Sequence, residues 1–299
     1  MSATSVLAIA GIELKLEAPN GLSLINEAPL YRPFTKGEGT HPEPEQLPAS
    51  LTIGDPVPDP GWAVLFDSGE SWLAYGDGDD VVFAFRSPTS PGRFWWFARL
   101  VGGDSPIELL FDAELIANGG QGDVLPDALN YPLDQLLLMW LLATRRGCIV
   151  HAAGAARDGR GVVYVGRSGA GKTTLMRQLE DLGNLRRLSD DRIILRLGPP
   201  HRLYGTPWAG EGLVAANEAA EIAALVFIHQ GSDHQLEPIA PARAAYQLLP
   251  TTSVPFFDED RSSACIKTLD ELVGAVPAYD LHCRPDPGVA DVIEPLFEP

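Results

Sequence analysis

Cysteine is scarce in this chain of 299 residues: Cys148, Cys265 and Cys283 are the only three, and no two form a CxxC pair. So few thiols at irregular spacing exclude a disulfide framework and fit a reducing, cytoplasmic setting. Basic residues are also few, with 22 Lys and Arg against 40 Asp and Glu and a net charge of −18. A surface that acidic repels nucleic-acid phosphates and anionic membranes, so neither is expected as a partner. Long apolar runs are missing too. The longest, Leu136–Ala143, falls well short of a membrane span. The run Val6–Ile12 lacks a basic flank and passes directly into Leu14-Lys15-Leu16, so it reads as a strand rather than a signal peptide.

What is present divides into two textures. Residues 1–128 read as a β-rich domain, suited to acceptor binding or interaction. Ile12–Glu17 alternates apolar and polar residues with period two, as a half-buried strand does. Trp62–Phe66, Ser71–Tyr75, Val81–Arg86 and Arg93–Leu100 follow as short aromatic and aliphatic runs. The segment His41–Pro60 carries six prolines, which remove donors and fix φ, so an extended loop or linker is expected there. Asp77-Gly78-Asp79-Asp80 lacks the later glutamate of a calcium loop and reads as a hairpin turn. Phe94–Phe97 reads as a strand with large residues on both faces.

Residues 129–299 read as a mixed α/β domain with a sheet core. Pro132 followed by Leu133, Leu136, Leu137, Trp140 and Leu141 predicts an amphipathic helix that Gly147 terminates. Strands are expected at Cys148–Ala152, Gly161–Val165, Arg192–Leu197 and Ala223–His229, and helices at Lys172–Leu182 and Leu269–Val276.

Within this part, Gly166-Arg167-Ser168-Gly169-Ala170-Gly171-Lys172-Thr173 matches G-x-x-x-x-G-K-[ST], between an apolar strand and a helix that opens on Thr173-Thr174. That arrangement turns successive backbone N–H groups, and the positive end of the helix, toward phosphate oxygens. Residues Gly166–Thr174 are therefore expected to bind ATP, with Lys172 on the β- and γ-phosphates and the Thr173 hydroxyl on Mg²⁺.

The strand at Ala224–Ile228 ends in His229-Gln230 and supplies no magnesium-orienting aspartate. A pair of acids, Asp190-Asp191, instead stands eighteen residues after Lys172. One can hold the metal while the other accepts the proton of an attacking hydroxyl; as isolated residues, the two also make good turn chemistry.

In this order, His151, the loop Gly166–Thr173 and Leu188-Ser189-Asp190-Asp191-Arg192 resemble the HPr kinase family, whose kinase domain is related to ATP-dependent phosphoenolpyruvate carboxykinase. The resemblance covers residues 148–235 best. It implies a P-loop kinase domain with Asp190 as general base, Asp191 at the metal and His151 near the reacting phosphate. A satisfied core histidine is the competing account of His151. Tyr204–Glu211 and Leu225–Gln230 are similar to stretches in the HPr-kinase-like proteins of peptide-modification clusters, lasso-peptide kinases included. Glu211 is then a candidate metal-side carboxylate or a solvated loop acid. Arg261 is a candidate phosphate clamp or a surface arginine beside Asp258, Glu259 and Asp260. The Arg-Gly-Leu-Gly signature of HPr kinase is replaced by Glu211-Gly212-Leu213-Val214, so the resemblance does not carry over HPr as substrate, the reverse reaction or the hexamer.

The expectation is an ATP- and Mg²⁺-dependent kinase acting on serine of a ribosomally made precursor peptide. The alternatives are a small-molecule kinase, for example for free serine, and a non-catalytic ATP-binding regulator. A carboxykinase is disfavoured, because its extra Mn²⁺ site and carboxylate-binding arginines find no matching set here.

Overall fold

Alternation shapes the first sheet. In the computed structural model, which describes residues 3–35, 44–119, 122–166, 169–179 and 182–298, strands β1 (Thr4–Ile9) and β2 (Ile12–Glu17) form a hairpin. Ile12, Leu14 and Leu16 are buried while Lys15 and Glu17 face out, as period two requires. The chain divides into two compact units, Met1–Leu137 and Leu138–Pro299.

Among the described residues, the first unit adds β3 (Leu22–Ile25), a short α1 (Arg32–Thr35), β4 (Glu45–Gly54), β5 (Ala63–Asp67), β6 (Trp72–Asp77), β7 (Asp80–Arg86), β8 (Phe94–Leu100), β9 (Ile107–Asp112), β10 (Ala117–Asn118) and β11 (Asp123–Pro126). Eight strands run in the order β1-β2-β4-β9-β8-β7-β6-β5, and β10-β11-β3 form a smaller sheet. Asp77 pairs with Asp80 across a tight turn whose Gly78 has φ +62°, so this segment is a hairpin. β8 presents large residues on both faces, with Trp96 stacked on Phe85 and on Phe111.

The proline-rich segment corrects the linker expectation, because β4 lies inside the sheet, parallel to both β2 and β9. Pairing with β9 begins only at Ala49, and Pro48 is exposed opposite Lys15, in the part of the strand with one neighbour among the described residues. A proline there costs no ladder bond on the open side. Alternating Leu47, Ala49 and Leu51, all buried, carry the strand despite the prolines.

Helix α2 (Leu133–Thr144) also departs from expectation. Its run Leu136-Leu137-Leu138-Met139-Trp140-Leu141-Leu142-Ala143 is apolar on every side and almost wholly buried, so it is a core helix rather than an amphipathic one. Arg146 (φ +53°), not Gly147, adopts the left-handed conformation after it. Gly147 already belongs to the next strand, where a Cβ would meet Leu142 Cδ2 at 2.8 Å.

The second unit continues with β12 (Gly147–Arg157), β13 (Arg160–Val165), α3 (Lys172–Gln178), β14 (Arg186–Ser189), β15 (Arg192–Arg196), β16 (Arg202–Tyr204), β17 (Ala219–Gln230), β18 (Gln235–Pro238), α4 (Pro241–Leu248), β19 (Thr252–Ser253), α5 (Glu259–Ala275), β20 (Ala278–Cys283) and α6 (Val289–Ile293). The sheet path β13-β12-β15-β16-β17-β20-β18 closes on itself, because β17 also runs parallel to β13. One face packs Val163, Val165, Leu225 and Phe227 with Ala244 and Leu248 of α4 and Leu269 and Leu272 of α5. The other packs Tyr164, Val226 and Ile228 with Leu175 and Met176 of α3 and Val289 and Ile293 of α6. The molecule is thus mixed α/β with a β-rich N-terminal region. No helix among the described residues is long and apolar enough to cross a membrane.

Candidate functional site

The glycine-rich loop leaves the buried end of β13 and enters α3 through Gly171, whose φ of +101° favours a residue without Cβ. Gly169 (φ +80°) makes the same demand. Arg167 and Ser168 lie outside the described residues. At the head of α3, Lys172 is buried, and its Nζ donates to the Gly166 carbonyl at 2.7 Å. Thr173 is half-buried and Thr174 exposed.

Sheet register supplies the rest. Antiparallel pairing of Ala152 with Val165 places His151 beside the start of the loop. β14 and β15 both pair with β12, Ser189 opposite Gly154 and Arg192 opposite His151, so Asp190-Asp191 is a kink held against the strand that carries His151. The result is a chain of polar contacts. His151 Nε2 is 3.0 Å from Lys172 Nζ, and His151 Nδ1 is 3.2 Å from Asp191 Oδ1. Asp191 Oδ2 accepts from Arg192 at 2.5 Å. An ammonium on Nε2 and a carboxylate at Nδ1 select the neutral tautomer protonated on Nδ1. Burial, reinforced by the positive charge of Lys172, holds the His151 pKa below its ordinary value against the pull of Asp191. Burial likewise lowers Lys172, with Asp191 and Asp190 opposing.

Asp190 sits differently. It is 4% exposed, and its oxygens accept backbone N–H groups of Gly210 at 3.0 Å, Gly212 at 2.6 Å and Val214 at 3.3 Å. The carboxylate therefore anchors the loop after β16, which carries Glu211 exposed at its turn. Gly205 lets the chain close up on both sides, since a Cβ there would collide with the Ala216 carbonyl oxygen, where the loop returns, and lie 2.6 Å from that of Leu188 on β14. Arg261 lies in α5, its guanidinium 4.1 Å over the Trp140 ring, and it lines neither of the cavities beside the loop.

Two cavities flank the loop. One, of about 400 Å³, is lined by Gly171, Thr174 and Gln178 on one side and by Gln230, Cys283 and Arg284, at the ends of β17 and β20, on the other. Cys283 is half-buried there, whereas Cys148 and Cys265 are buried. The second, of about 780 Å³, reaches from Gly166 and Ala170 to His229, Tyr246 and Gln247. His229, Gln247 and the buried Asp280 that joins them were not singled out from sequence. The one signal was an acid at an inward position of a strand, Ala278–Cys283.

Among the described residues, no group of three or more His, Cys, Asp or Glu side chains is gathered as a metal cage. Mg²⁺ bound with phosphates needs only one or two protein oxygens, and Asp191 and Thr173 are oxygen donors of that kind. Comparison with protein-family models and with curated proteins gives no match.

Proposed function

We propose that the chain is an ATP- and Mg²⁺-dependent P-loop kinase that transfers the γ-phosphoryl group to a serine hydroxyl, on a ribosomally made precursor peptide. The observation that carries this reading is the contact of Lys172, at the head of the helix after the glycine-rich loop, with the His151–Asp191 pair. A simple nucleotide binder needs the lysine, but not a neutral imidazole oriented by a carboxylate. The peptide acceptor comes from the resemblance in Tyr204–Glu211 and Leu225–Gln230.

In this mechanism the loop amides and Lys172 take the β- and γ-phosphates, and Lys172 gives up its contact with the Gly166 carbonyl to do so. The nucleoside occupies the cavity lined by Thr174, Gln178 and Cys283. Thr173 and Asp191 would hold Mg²⁺, which would neutralise phosphate charge, and Glu211, exposed on the turn that Asp190 anchors, is the further candidate oxygen donor. Departure of Lys172 frees His151 Nε2, while Asp191 keeps the ring oriented through Nδ1–H. The serine Oγ–P bond forms as the bridging P–O bond to the β-phosphate breaks; ADP leaves, and the serine proton passes to Nε2. Asp190, with its oxygens committed to three backbone amides, holds the Gly210–Val214 loop in place.

The test is transfer of labelled γ-phosphate to serine peptides and to small hydroxyl compounds. Transfer to a peptide above a Lys172→Met control supports the proposal. If ATP binds and no hydroxyl acceptor is labelled above that control, the chain is an ATP-binding regulator instead.

A further inference from the structure

The polar network around Asp280 is unused by this mechanism, yet it faces the same loop. Asp280 is 2% exposed in the middle of β20. One oxygen receives His229 Nε2 at 3.0 Å and Gln247 Nε2 at 2.9 Å, and the other pairs with the Arg243 guanidinium. A buried carboxylate with three partners from β17 and α4 fixes where those side chains stand. With Nε2 engaged, the remaining His229 nitrogen is Nδ1, and the ring also stacks on His282 at 5.0 Å.

Register puts this cluster beside the phosphate site. Val165 pairs with Ala152 on one side and Phe227 on the other, so the glycine-rich loop starts between the strand bearing His151 and the strand bearing His229. Phe227 and His229, two residues apart on β17, share the face covered by α4. The cavity of about 780 Å³ on that face runs from Gly166 and Ala170 to His229 and Gln247, with Tyr246 at its outer side, 81% exposed. Among the described residues its lining holds no lysine, arginine or carboxylate. The charges just behind the wall are already paired, Lys172 with the Gly166 carbonyl and Asp280 with His229, Gln247 and Arg243. The ammonium and carboxylate of free serine would therefore meet no unpaired opposite charge on a described lining side chain, an unfavourable desolvation. A peptide-borne serine brings neutral amides and a hydroxyl, which suit an imidazole, a carboxamide and an aromatic wall.

We propose that this cavity is the acceptor subsite: it takes a neutral, hydroxyl-bearing side chain within a peptide segment, which His229 and Gln247 bind and Tyr246 covers. The inference rests on the kinase reading and adds to it the place where the acceptor binds and the residues that hold it. His229 is a binding residue here, and Asp280 a positioning residue.

The experiment follows the histidine ring signals of the full chain by NMR, with the His151 and His229 signals assigned by their loss in His151→Gln and His229→Gln. Mg²⁺ with a non-hydrolysable ATP analogue is added first, then N-acetyl-L-serine N-methylamide or free L-serine. The nucleotide analogue is expected to move His151, and the blocked serine then to move His229, while free serine leaves it in place. Tyr246→Ala, at an exposed position, should weaken the blocked-serine response roughly tenfold, about 1.4 kcal/mol. No response of His229 to the blocked serine, or an equal response to free serine, overturns the acceptor subsite. A His229 shift caused by nucleotide alone, with nothing added by the blocked serine, also overturns it. No response of any histidine to the nucleotide analogue overturns the kinase reading itself.

Discussion

His151 Nε2 lies 3.0 Å from the Lys172 ammonium, so a neutral imidazole caps the lysine that the glycine-rich loop presents. Both groups are held toward their neutral forms, first by burial. Lys172→Met removes a charge that is costly to bury and fills the space with apolar atoms, so thermal stability should match or exceed that of the unaltered chain. Affinity for ATP should fall about a hundredfold, about 2.7 kcal/mol, with loss of the charged hydrogen bonds to phosphate. The His151 signal should titrate at higher pH once the neighbouring positive charge is gone. Melting curves, nucleotide titration and histidine NMR check the three outcomes. A sharply lower melting temperature would mean that the lysine is structural.

Asp190 separates anchoring from catalysis. Asp190→Ala leaves three backbone N–H groups without their acceptor. The expected cost is about 3 kcal/mol of unfolding free energy, with lost hydrogen-exchange protection at Gly210, Gly212 and Val214. Asp190→Asn keeps one acceptor oxygen and should lose less. If Asp190→Asn abolishes phosphoryl transfer with stability and amide protection intact, the proton goes to Asp190 and not to His151.

These contrasts show which features were legible in sequence. The strand, glycine-rich loop and helix at Gly161–Gln178 are local, so spacing and apolar pattern suffice to find them. β4 was hidden because proline content speaks of backbone donors and says nothing of which side of a strand is open at Pro48. Asp190 and Asp191 look alike as a pair. What separates them is the set of amides between 20 and 24 residues downstream that Asp190 binds and the strand partner that Asp191 meets. Asp280 reaches His229 across 51 residues of sequence, a contact that only the parallel register of β17 and β20 creates.

Cys283 tests the proposal that the nucleoside lies in the cavity of about 400 Å³. It is half-buried in the lining, and the other two cysteines are buried, so alkylation should fall on Cys283 first. Burial raises its thiol pKa, so the reaction should be slow at neutral pH and speed up in mild alkali. ATP should protect it, whereas inorganic tripolyphosphate, which fills only the loop, should not. Peptide mapping by mass spectrometry reads the outcome. Equal protection by both would place the nucleoside elsewhere.

Asp280 gives the pH dependence with its sign. Burial alone would raise its carboxyl pKa, but hydrogen bonds from Gln247 and His229, with the charge of Arg243, leave it below its ordinary value. A carboxyl lowered in the folded state adds stability that is complete above its unfolded pKa, about 3.9, and that disappears as pH falls through the lower folded value. Asp280→Asn should therefore cost about 2 kcal/mol near pH 7, because Arg243 and His229 lose their charged partner. The gap between the two chains should stay level down to about pH 5 and close below about pH 4. Denaturant unfolding of both chains across that range measures it. A gap that persists undiminished into acid would mean that the Asp280 side chain acts through its shape and not through its charge.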